Sequence, residues 1–93
     1  VKIPEPDLKS PTWPFVLAFA KRMEYKLSLN RHKGDREGWS SMDFWALMDC
    51  IDEEVEEVSQ CEGMGIPADD VANECADVAN FCMMLADNVT RGG

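Results

Sequence analysis

The chain is poor in the residues that soft-metal and redox sites need. His32 is its one histidine, and its four cysteines form no Cys-x-x-Cys pair. Cys50, Cys61, Cys75 and Cys82 are therefore read as reduced thiols that fill a core, with a zinc site or a disulfide frame as lesser alternatives. No segment reaches the roughly 20 consecutive apolar residues of a bilayer span, and no basic-then-apolar leader opens the chain. The expected compartment is the cytoplasm. No run alternates apolar with polar residues, so no strand is expected, and neither an internal repeat nor a low-complexity tract occurs. The last absence is positional: from Glu37 to Thr90 there is no lysine or arginine.

What is present is a 93-residue chain, 45% hydrophobic, with 18 acidic and 9 basic side chains and a formal charge of −9. That composition belongs to a folding domain and not to a disordered acidic tail. A domain of this size has a marginal core of its own, so oligomerisation is expected. The negative surface argues against nucleic-acid polymers and anionic membranes as partners.

Residues 1–11, with Pro4, Pro6 and Pro11, read as an extended arm, and 12–93 as a single all-α domain. Thr12 is the expected N-cap of a first helix, in which Phe15, Phe19, Met23 and Leu27 recur every four residues to about Asn30. Arg31 to Trp39 reads as a polar loop. Ser40, with Asp43 three residues on, resembles a capping box and opens a second helix ending near Cys61, before Gly63 and Gly65. Ile66 and Pro67 reset the chain, and Ala68 to about Val89 forms the third helix. Three helices joined by loops make an all-α bundle, completed by dimerisation. Trp13, Trp45 and most methionines are read as core or subunit interface. The small residues Ala72, Ala76, Ala79 and Ala86 would let a partner helix approach closely.

Basic side chains gather upstream: Lys21, Arg22, Lys26, Arg31, Lys33 and Arg36 lie close together, whereas the second and third helices are anionic. At about 100° per residue, Phe44, Leu47, Met48, Ile51, Val55 and Val58 form one face of the second helix. Glu54 borders that face, Glu57 lies beside it and Glu53 points further out. On the third helix Glu74 falls at the edge of the stripe Val71, Cys75, Val78, Cys82, Leu85 and Val89, with Asp77 to its side. A carboxylate at such an edge costs several kcal/mol unless it is protonated, paired or bound to a metal. No base on either helix can pair with it. Antiparallel packing brings Glu54 and Glu57 to face Glu74 and Asp77, and an all-oxygen set suits a hard ion, Mg²⁺ or Mn²⁺, ahead of Zn²⁺. A di-iron bundle would need Glu-x-x-His pairs, and an EF-hand would need its acids on a loop.

Glu53-Glu54-Val55-Glu56-Glu57 fits an EExxE motif and Glu74-Cys75-Ala76-Asp77 an ExxD motif, in order and on consecutive helices. In this the chain resembles the MazG-like all-α nucleoside triphosphate pyrophosphohydrolases. Lys26 to Trp39 is similar to the segment joining the first two helices of small members, so the resemblance covers roughly residues 15 to 90. It implies hydrolysis of a nucleoside triphosphate between its α and β phosphates, as house-cleaning of the nucleotide pool. It also implies Glu54, Glu57, Glu74 and Asp77 as Mg²⁺ ligands, with Mn²⁺ as a substitute, and Glu53 as an outer ligand or the group orienting the attacking water. Glu53 and Glu54 are thus the expected catalytic acids.

The substrate contacts expected beside them are Lys26, His32, Lys33 and Arg36 for the phosphates, Asn30 and Trp39 for the base, and Asn80 for sugar or phosphate. The family is also similar in being a homodimer or tetramer, and its small relatives lean towards deoxynucleotides. The competing reading is a non-catalytic acidic helical module that docks a basic partner protein. A homologue that binds nucleotide without turning it over is a third.

Overall fold

The computed structural model describes residues 2–91; Val1, Gly92 and Gly93, the outer limits of the arm and of the domain, lie outside the described residues. Among the described residues four α-helices form: α1 (Trp13–Leu29), α2 (Arg36–Ser40), α3 (Phe44–Ser59) and α4 (Ala68–Thr90), with a 3₁₀ turn at Arg31–Lys33. No strand occurs among the described residues. Among the described residues no helix is long and apolar enough to cross a membrane.

Thr12 occupies the N-cap position of α1, yet its hydroxyl does not cap the helix and pairs with the Ser10 hydroxyl at 2.9 Å. Pro14 in the first turn is tolerated because its missing N–H would have had no helical partner. The start of α3 differs from the capping box read at Ser40. Asp43, extended at φ −78° and ψ 167°, accepts from the Ala46 amide at 2.8 Å, whereas Ser40 closes the preceding helix. The short Asp43 carboxylate reaches an orphan amide without leaving extended backbone, so it caps in place of the serine. Helix α3 stops at Ser59, and Cys61 lies in the turn beyond it. Gly63 (φ 71°) and Gly65 (φ 66°) carry that turn through left-handed backbone that disfavours a Cβ.

Helix α4 is the central element, packed by α3 on one side and α1 on another. Helix α3 runs antiparallel to it, since the Asn88 amide reaches the Met42 carbonyl at one end while Glu54 and Glu57 meet Glu74 at the other. Helix α1 runs parallel to it: Arg22 bonds Asn73 at 2.8 Å and Lys26 pairs with Asp77 at 3.3 Å. Little is fully enclosed. Leu47 of α3 and Ala76 of α4 are completely buried, and Asn80 is 4% exposed. Phe15, Tyr25, Trp45 and Val89 all stand open on the surface. Trp45 stacks edge-on against Phe44, which is itself about half exposed.

Candidate functional site

The antiparallel register of α3 and α4 decides which acids meet. Glu54, Glu57 and Glu74 each offer a carboxylate oxygen within 4.8 Å of the others. Glu54 and Glu74 are half-buried and Glu57 is exposed, so the cluster opens to solvent through Glu57. One oxygen of Glu54 and one of Glu74 are buried without a hydrogen-bond partner. Ionised carboxylates at that spacing repel by about 3 kcal/mol per pair at an effective dielectric of about 20. Protons respond accordingly. Burial, then the neighbouring Glu57, Asp77 and Glu74 carboxyls, push Glu54 up to about 7. Burial and Glu57 raise Glu74 in the same way, with Lys26 opposing. Without a cation, Glu54 holds a proton over a range in which an ordinary carboxylate has released it.

Asp77, expected as the fourth member, is placed otherwise. Its carboxylate pairs with Lys26 of α1 at 3.3 Å, both side chains about one-fifth exposed. Burial still raises its pKa, and Lys26 pulls it back. The sequence reading found no base on the second and third helices; the parallel packing of α1 supplies one from outside them. Glu53 is exposed on the outer side of α3.

Beside the acids lies a cavity of about 350 Å³ between α1, α4 and the strap of residues 30–42 that joins α1 to α3. Lys26 and Leu27 line it from α1, and Asp77, Asn80, Phe81 and Met84 from α4, with Glu54 at its acidic end. The strap contributes Asn30, Lys33, Gly34, Asp35, Gly38, Trp39 and Met42. Lys26, Asn30, Lys33, Trp39 and Asn80 are thus gathered round one cavity, together with Glu54 and Asp77. His32 and Arg36 are exposed and do not line it. The buried Asn80 amide donates to the Met23 carbonyl at 3.1 Å, while its own oxygen has no partner.

The strap is not the plain loop that its composition indicated. The Arg31–Lys33 turn and α2 fold against each other so closely that a Cβ at Gly38 would lie 2.7 Å from the Lys33 carbonyl oxygen. What fastens it to α4 went unread in the sequence. Asp87 accepts two bonds from Arg36, at 2.7 and 3.0 Å, and one from the Trp39 indole at 3.1 Å. Arg91 adds another at 3.1 Å. Asn88 donates to the Trp39 and Met42 carbonyls at 2.9 and 3.3 Å. A signal existed, since Asp77, Asn80, Met84 and Asp87 follow helical spacing along one face of α4.

The four cysteines are free, with Cys50, Cys61 and Cys75 half-buried and Cys82 exposed. Burial and the acids Glu53, Asp49 and Glu54 push the Cys50 thiol up, which keeps it protonated and a poor metal ligand. No family model, curated protein or solved structure matches the chain in comparisons with known proteins.

Proposed function

We propose that the protein is a Mg²⁺-dependent nucleoside triphosphate pyrophosphohydrolase of the MazG-like kind, taking a deoxynucleotide to its monophosphate and pyrophosphate in the cytoplasm. The observation that carries the reading is the meeting of Glu54, Glu57 and Glu74 within 4.8 Å, two of them with buried oxygens lacking partners, at the end of a cavity of about 350 Å³. Three carboxylates with free lone pairs fit a hard divalent ion. Such an ion, when bound, supplies phosphate neutralisation and a more acidic water.

The chain's own residues divide the remaining work. Glu54, Glu57 and Glu74 hold the ion, with Asp77 completing the set once Lys26 lets go of it. Lys26, at the boundary of acids and cavity, then meets a phosphate oxygen, as does Lys33 from the strap. Glu53, exposed on α3, orients water from the open side of the cluster. Trp39 and Phe81 offer flat apolar faces to the base, and Asn30 and Asn80 offer polar contacts to base and sugar. A solvated docking face would not bury Glu54 and Glu74 oxygens without partners, and this favours the enzyme over the acidic interaction module.

The reading includes a second copy of the chain. A folded monomer of 10.5 kDa exposes about 5,400 Å², and this chain exposes 7096 Å². Residues 2–9, all exposed and turning at Asp7–Ser10 and not extended throughout, account for part of the difference. Covering most of the rest on each of two copies gives an interface of about 2,000–3,000 Å² in total, the size typical of obligate homodimers.

The experiment is a pyrophosphate-release screen over ribo- and deoxynucleoside triphosphates, including oxidised and methylated bases. Release from at least one nucleotide, dependent on Mg²⁺ and abolished by Glu54→Gln, is the expected result. No release from any of them refutes the proposal.

A further inference from the structure

The strap that walls the cavity is thinly anchored, with Trp39 and Met42 its half-buried apolar side chains and none of residues 30–42 fully buried. Helix α2 is five residues long, contains no buried residue and carries two arginine or tryptophan side chains that both turn to one carboxylate. A five-residue helix does not persist by its own backbone bonds. Its position is set from outside, by Asp87 and Asn88 of α4. Asp87 is about a quarter exposed and is the acceptor of the paired Arg36 bonds. Such forked, charge-assisted bonds fix orientation as well as distance. The same carboxylate fixes the edge of the Trp39 indole, leaving the ring to line the cavity across from α4.

We propose that Asp87 is a positioning residue: through Arg36 and the Trp39 indole N–H it holds the strap in place and sets the width of a slot for a planar heteroaromatic ring. The ring's identity as a nucleobase rests on the function proposed above; the holding of the strap does not. Arg36 acts through Asp87 and not on the ligand. The acids of the cation cluster lie at the other end of the cavity and are untouched by this fastening, so ring binding and cation binding are separable.

Hydrogen exchange followed by mass spectrometry on the parent, Asp87→Asn and Arg36→Met tests this, together with binding of non-hydrolysable analogues of the four common deoxynucleoside triphosphates in Mg²⁺. Asp87→Asn keeps the shape and removes the charge, and Arg36→Met, at an exposed position, removes the same link without altering α4. Both variants are expected to speed exchange of the amides of residues 36–42 about tenfold or more while α1, α3 and α4 keep theirs. Where the parent binds an analogue, both weaken it about tenfold while thermal stabilisation by Mg²⁺ is retained. Unchanged exchange in residues 36–42, or faster exchange with undiminished analogue affinity, overturns the proposal. A parent that binds no analogue refutes the nucleotide reading instead, and the exchange data then decide the role of Asp87.

Discussion

Glu54 and Asp87 are both carboxylates on helices of the same bundle, and their surroundings drive them in opposite directions. Arg36 above all, with Trp39 and Arg91, holds Asp87 down to about 2. Burial and like charges raise Glu54 to about 7, and Glu74 and Asp77 also rise. The folded chain therefore keeps a proton on Glu54 between the ordinary carboxylate range and about pH 7, where the unfolded chain has released it. Since the native state binds more protons in that window, stability falls as pH rises through it. The melting temperature of metal-free protein is expected to fall between about pH 5 and pH 8, and Glu54→Gln to flatten the slope. A melting temperature that rises over this range contradicts the acid cluster. Asp87 acts in the reverse sense, its contribution present at neutral pH and lost only on strong acidification. Its depressed pKa was not visible in the sequence, because Arg36 lies 51 positions away.

At the scale of the element, the long helices were legible and the short one was not. Apolar residues every four positions in α1, and at alternating steps of four and three in α4, locate both helices to within a residue or so, and the inward position of Glu54 relative to Glu53 follows from the same geometry. Helix α2 has no period to read and exists because α4 side chains hold it. Ser40 with Asp43 three residues on has the form of a capping box, but Ser40 closes α2 and Asp43 itself caps α3. Asp43→Ala is therefore expected to cost about 1 kcal/mol, and Ser40→Ala less than about 0.5 kcal/mol. Thermal melts of the two variants check this, and equal losses would contradict the cap. The pairing of Lys26 with Asp77 was hidden for another reason. Sequence showed that the anionic helices carry no base, but not that α1 lies parallel to α4 and delivers one.

At the scale of the whole molecule, the −9 charge and the thin core are connected. The acids that crowd between α3 and α4 occupy space where apolar side chains would otherwise stabilise a small bundle. Phe15, Tyr25 and Trp45 are left outside instead. A second copy covering them is expected to give a dimer mass in sedimentation at micromolar concentration, and Trp45→Asp to shift the distribution towards monomer. A parent that sediments as a monomer at every concentration would contradict that arrangement. The acid cluster makes the central claim, and it is a claim about cation binding before it is one about catalysis. The most direct test is calorimetric titration of Mg²⁺ into the metal-free parent and into Glu54→Gln and Glu74→Gln. The account predicts saturable binding to the parent that both substitutions abolish and that Na⁺ at equal ionic strength does not reproduce. Heats that fail to saturate, or that are the same in all three proteins, would contradict it.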